Sequence, residues 1–139
     1  MIILDTNVLS ELMRPAPSQA VHAWVASQPA ARLYTTTITQ AEILYGLALM
    51  TDSRRRSALT TAATQMFSED FAGRLLAFDA AAAEAFAPIA AARRQQGRPI
   101  AAFDAQIAAI AASQAGELAT RNVSDFLDCG IHLINPWEA

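Results

Sequence analysis

The chain contains no lysine: all 10 of its basic residues are arginines. That absence leaves no lysine to pair with a buried acid, and every cation that could grip a phosphate is a planar guanidinium. Cys129 is the single cysteine, so no internal disulfide can form, and a reducing compartment is expected. His22 and His132 stand far apart and belong to no Cys/His pattern. A structural zinc site, a histidine-based nuclease and a Ser-His-Asp or Cys-His nucleophile are all disfavoured by this. No charge-free stretch of about 18 strongly apolar residues occurs, so no transmembrane helix is expected. The N-terminus opens on an apolar run with no basic segment before it, so no signal peptide is expected either. The expectation is a cytoplasmic protein without a membrane partner.

The 139 residues suffice for one domain, residues 1–139, with a real core. Hydrophobic residues make up 53%, and much of this is alanine, a strong helix former that lets helices pack closely. The formal net charge is −3, whereas nucleic-acid binders usually carry a basic excess or patch. The arginines do cluster, at Arg54-Arg55-Arg56 and at Arg93-Arg94 with Arg98. Such runs are more often solvated helix faces than sites, although the planar guanidinium fork suits phosphate.

Met1-Ile2-Ile3-Leu4 followed by Asp5 reads as a short strand buried on both faces, as in parallel sheets. Further short strands are expected at Leu33–Thr36, Leu75–Phe78, Leu118–Thr120 and Ile131–Ile134. Between them lie helical stretches: Thr6–Met13, a helix capped by Ser18, one opened by Thr39, Ser53–Phe67, Ala80–Gln96 with a kink near Pro88, and Ala101–Ala115. Strand and helix alternate with short connections, which predicts an α/β sandwich around a mainly parallel sheet. Ligands bind such sheets outside the carboxyl ends of the strands.

Four acids fall at strand ends or in the first turns of helices: Asp5, Glu42, Asp104 and Asp125. Each has a local explanation. An acid in a first turn stabilises a helix by about 0.3–1 kcal/mol, Asp5 can cap a helix, and Thr39-x-x-Glu42 fits a capping box. The combination points elsewhere. Asp5 ends a wholly apolar strand, and Asp104 follows Ile100-Ala101-Ala102-Phe103 with no cation at helical pairing distance. Converging carboxylates repel by about 4 kcal/mol per pair at 4 Å and an effective dielectric near 20. A divalent ion relieves this, and oxygen-only ligands favour Mg²⁺, with Mn²⁺ as a substitute.

Ile3-Leu4-Asp5-Thr6-Asn7-Val8, the Glu42 helix, Phe103-Asp104-Ala105 and Thr120-Arg121-Asn122-x-x-Asp125-Phe126 resemble the PIN domain family. The likeness is greatest to VapC-type ribonuclease toxins of the FitB-like branch, with Asn135-Pro136-Trp137 near the end of the chain. It covers essentially the whole chain. The resemblance implies a PIN-like three-layer α/β/α sandwich and a Mg²⁺-dependent endoribonuclease toxin of a type II toxin–antitoxin system. It implies Asp5 and Asp104 as metal ligands, with Glu42 and Asp125 completing the catalytic set. Thr6, Thr120 and Asn122 would serve as hydroxyl and amide supports. Arg93, Arg94 and Arg98, just before the Asp104 helix, are the expected RNA contacts, ahead of the more remote Arg54–Arg56 cluster. A VapB/FitA-like antitoxin, a homodimer, and DNA contact only through the antitoxin are also implied.

Two other readings compete. A haloacid-dehalogenase-like phosphatase needs a second Asp two residues after the first, where this chain has Asn7, and a lysine, of which it has none. A non-catalytic module acting within a toxin–antitoxin complex on DNA is the remaining alternative.

Overall fold

The computed structural model describes residues 1–139. Five strands form one sheet: β1 Ile2–Leu4, β2 Leu33–Thr36, β3 Leu75–Leu76, β4 Glu117–Ala119 and β5 Leu133–Ile134. Their order is β3-β2-β1-β4-β5, and every adjacent pair is parallel. The first strand is therefore the central one. The chain builds outward from β1 to β3 and then returns to place β4 on the other side. This reversal opens a crevice at the carboxyl ends of β1 and β4.

Six helices cover the sheet: α1 Thr6–Leu12, α2 Gln19–Ser27, α3 Thr37–Ala48, α4 Arg54–Gln65, α5 Ala80–Gln95 and α6 Ala102–Ser113. The alternation of β1 side chains divides the core in two, as a strand's period of two requires. Ile2 and Leu4 face a cluster with Val8, Leu9, Val21, Ile43 and Leu47 from the first three helices. Ile3 faces the other way, onto Ile107, Ala108 and Ala111 of α6, with Leu118 and Phe126. The expected three-layer α/β/α sandwich is present. None of its helices is long and apolar enough to cross a membrane.

The expected elements all occur, but several differ at their ends. β3 stops at Leu76 rather than Phe78, and β5 begins at Leu133 rather than Ile131. α4 ends at Gln65, where Met66–Asp70 widens into a π turn. α5 continues through Pro88, and Gly97, at φ 74°, ends it: its N–H bonds Arg94 O at 3.0 Å. α3 departs most. It starts at Thr37, capped by Thr36, whose Oγ1 accepts from Thr39 N at 3.0 Å. The capping box expected at Thr39 therefore does not exist, because Glu42 lies a turn too far along the helix.

Candidate active site

Asp5 follows β1 directly, and the ladder continues through it, its N–H bonding Ala119 O at 2.9 Å. Its carboxyl is 4% exposed. Oδ1 accepts from Thr6 N at 2.8 Å, and Oδ2 accepts from the Thr120 hydroxyl at 2.7 Å and, more weakly, from Asn7 Nδ2 at 3.4 Å. Asp5 does cap α1, as its position suggests, but it also bonds a residue on the neighbouring strand. Burial pushes its carboxyl up; the Thr120 and Thr6 bonds oppose this, and the Glu42 and Asp125 charges add to it.

Thr120 Oγ1 is wholly buried and fully used: it donates to Asp5 and accepts from Asn7 Nδ2 at 3.3 Å and Asn122 N at 3.1 Å. The support from Asn122 thus comes through its backbone N–H, not through the side-chain amide expected of it. Thr6 is tied to the second acid. Its Oγ1 donates to Glu42 Oε1 at 2.9 Å and lies 3.1 Å from the Thr39 hydroxyl. A hydroxyl has one proton, so Thr39 is the donor in the second bond, and the order runs from Thr39 through Thr6 to the carboxylate. Glu42 is raised by burial, against the Thr6 bond and reinforced by the Asp104 charge.

Asp104 is the third residue of α6, whose N-cap, Ala101, makes no side-chain cap. The half-buried Asp104 carboxyl accepts no bond from protein donors, so it does not fasten its own helix. Burial, and then the charges of Asp5 and Asp125, push it up to about 6. Asp125 lies on an exposed 3-10 turn, Val123–Phe126, after β4. Four acids from four separate elements therefore sense one another's charge at one sheet edge, and none makes an ion pair with an arginine.

Their spacing is loose. No three His, Cys, Asp or Glu side chains come close enough to ligate a single ion directly. A Mg²⁺ ion here would have to keep several of its waters and take one or two carboxylates. The spacing does not suit a closed zinc-type cage.

The profile of the PIN domain family matches residues 2–127. The chain belongs to the PIN domain family. It is 40% identical over 138 residues to the VapC ribonuclease Y4jK of Sinorhizobium fredii, covering 99% of each chain. It is 38% identical to Toxin FitB of Neisseria gonorrhoeae, again over 99% of both. A structure of FitAB bound to a DNA fragment superposes with a TM-score of 0.92 at 38% identity, covering 99% of this chain and 96% of that one. These place the PIN domain in the VapC/FitB type.

Three arginines of this PIN domain depart from expectation. Arg93 is 5% exposed and cannot reach an RNA backbone. Its guanidinium donates to Arg98 O at 2.9 Å, Asp125 O at 2.8 Å and Leu127 O at 3.1 Å. It is a buried brace for the turn that carries Asp125. Arg98 is half exposed and pairs with Asp128, leaving Arg94 as the free member of the cluster. Arg55, in the cluster taken as remote, instead lines a cavity of about 620 Å³ whose walls include Thr6, Glu42, Arg14 and Leu59. Asn7 and Thr39 complete the hydrogen-bond order, a role that neither the opening motif nor the expected capping box foretold. Asn7 stands out only by its place two residues after Asp5.

The large apolar side chains on and just beyond α1 to α3 divide between core and margin. Leu9 and Leu47 are core, while Leu12, Trp24 and Met50 are partly buried against it.

Proposed function

We propose that this PIN domain is a divalent-metal-dependent endoribonuclease toxin that hydrolyses RNA phosphodiester bonds and is restrained by a cognate antitoxin. The observation that carries the reading is Asp104. Its half-buried carboxyl, held at about 6 by burial and by two neighbouring acids, has no protein donor or cation to justify it. A structural acid would have acquired one.

Asp5 and Asp104 would hold Mg²⁺, or Mn²⁺ in its place, with Glu42 and Asp125 joining through water. When bound, the ion supplies charge neutralisation at the phosphoryl oxygens and acidifies a water. The protein's own part is positional. Thr120 and the Thr6 N–H fix both oxygens of Asp5. Glu42, steadied by Thr6, would accept a proton from the attacking water. Elevated carboxyls are suited to that exchange near neutral pH. RNA would be gripped by the unpaired guanidinium groups of Arg94 on α5 and of Arg55, the latter in the cavity that reaches Glu42.

FitAB was captured on DNA, which favours contact of this chain with DNA through an antitoxin partner; a homodimer and a cytoplasmic location are further parts of the proposal. The DNA-bound complex also keeps open a purely regulatory role. Purified protein, Mg²⁺ and a structured RNA separate the two. Cleavage by the wild type that is lost with Asp104→Asn supports the enzyme. Equal cleavage by both proteins exposes a contaminant and leaves the regulatory role in front.

A further inference from the structure

Five of the ten arginines are already engaged by the protein. Arg14 pairs with Glu11, Arg32 with Glu117 and Arg98 with Asp128, while Arg74 and Arg93 serve backbone carbonyls. Among the others, Arg121 stands apart by position. It directly follows Thr120 at the carboxyl edge of β4. Its backbone N–H donates to Asn7 Oδ1 at 3.2 Å, and the same Asn7 side chain reaches Asp5 and Thr120. The main chain of Arg121 is thereby fixed in register with the acids.

Its side chain is held as well. The guanidinium carbon lies 5.0 Å from the ring centroid of Trp137. Trp137 packs against the core cluster of β1 and α1, and its own N–H is bonded to Asn135 Oδ1 at 3.0 Å. Stacking occupies a guanidinium's face and leaves its in-plane N–H donors free. Arg121 is exposed, and none of those donors meets a carboxylate or a carbonyl. A cation held over an aromatic ring, its main chain in register with Asp5 and its N–H donors unused, offers an open fork to a phosphate.

We propose that Arg121 binds a backbone phosphate of the RNA next to the scissile one, and that Trp137 is the positioning residue that aims it. This rests on the ribonuclease reading and assigns the C-terminal Asn135-Pro136-Trp137 a part in substrate binding. The exposed guanidinium anchors the strand in register with the acids, so its loss should weaken binding more than the chemical step.

The test compares wild type, Arg121→Gln, Arg121→Lys, Trp137→Leu and Trp137→Phe. Cleavage of a structured RNA in Mg²⁺ is measured, together with the salt dependence of single-stranded RNA binding in an Asp104→Asn background. Arg121→Gln should raise KM about 5- to 10-fold with kcat changed less than about 2-fold. The slope of log K against log salt should shrink by about 0.7, one single-strand phosphate contact. Trp137→Leu should reproduce part of both changes and Trp137→Phe should restore them, while Arg121→Lys recovers the salt slope more fully than the KM. An unchanged slope and KM in Arg121→Gln overturn the proposal, even if Trp137→Leu lowers the melting temperature, since stacking would then serve only the C-terminal segment. Wild-type protein that cleaves no RNA would remove the ribonuclease reading and this inference with it; cleavage with an indifferent Arg121 removes the inference alone.

Discussion

Replacing Asp104 by asparagine should make the metal-free protein more stable at neutral pH while removing cleavage. An aspartate lifted from 3.8 to about 6 holds its proton more tightly in the folded chain than in the unfolded one. Between those two values the folded state binds more protons, so stability falls as pH rises through the window. Above about pH 6 the full penalty is present; below about pH 4 it is gone. The gap of about 2 pH units corresponds to about 3 kcal/mol. Asp104 is only half-buried, and water screening reduces this to roughly 1–2 kcal/mol. Asparagine keeps the shape and discards the charge, so Asp104→Asn should gain that amount at pH 7.5, or about 3–8 °C in melting temperature for a chain of this size. The assay is thermal melting of both proteins in a chelator from pH 4 to pH 8. The two curves should coincide at the acid end and diverge through pH 5 to 6. A variant no more stable than wild type at pH 7.5, or one whose advantage is the same at pH 4, would refute the electrostatic account.

Four further outcomes follow from the same geometry. Millimolar Mg²⁺ should raise the wild-type melting temperature, by about 2.7 kcal/mol of stabilisation at 100 times its dissociation constant, and Asp5→Asn should cancel the gain in a calorimetric titration. Thr120→Val removes the donor to buried Asp5 Oδ2 and should cost about 1–3 kcal/mol by urea unfolding at pH 7, with less loss at pH 4. Arg93→Met leaves the carbonyls of Arg98, Asp125 and Leu127 without their donor. It should destabilise by at least about 2 kcal/mol and speed amide exchange in the Asp125 turn, with the salt slope of RNA binding unchanged. Gly97→Ala, at φ 74°, should cost about 1 kcal/mol in the same unfolding assay and leave cleavage intact.

The parts of the site legible in the sequence were those set by strand chemistry. An apolar run ending in an acid has few structural solutions, so Asp5 at the edge of a parallel sheet could be read directly, and Asp104 stood out because its helix start offered it no partner. What depended on three-dimensional pairing could not be read. Thr39-x-x-Glu42 has the spacing of a capping box, but Thr36, just ahead, caps the same helix one turn earlier. Local pattern cannot rank two threonines three residues apart when both have the right side chain. Arg93 and Arg94 are adjacent and chemically alike; the helix turns about 100° between them, which buries one and exposes the other. Asn7 was visible only as part of a motif, since its role comes from Thr120 and Arg121, more than a hundred residues away.

Those long-range bonds also fix where the acids stand. Each oxygen of Asp5 has a donor of its own, from Thr6 and Thr120, and Glu42 is held by Thr6. The elements around Asp5 and Glu42 are thus tied by hydroxyls and amides, some donating to the carboxylates and others, Thr6–Thr39 and Asn7–Thr120, to one another. Repulsion among the carboxylates is borne by this neutral scaffold, and its cost collects at Asp104, which is half-buried and has no donor of its own. A scaffold of that kind keeps the acids facing one another before any ligand arrives, so binding an ion need not reorganise the sheet edge. Thr6→Val tests this. The carboxyl of Glu42 would lose its hydroxyl donor and swing free. Cleavage should fall while the melting temperature moves by no more than about 1–2 kcal/mol equivalent, and the Mg²⁺ concentration for half-maximal activity should rise. If the Mg²⁺ requirement is unaltered, the hydroxyl network does not preorganise the acids, and their arrangement must be held by the packing of β1 and α3 alone.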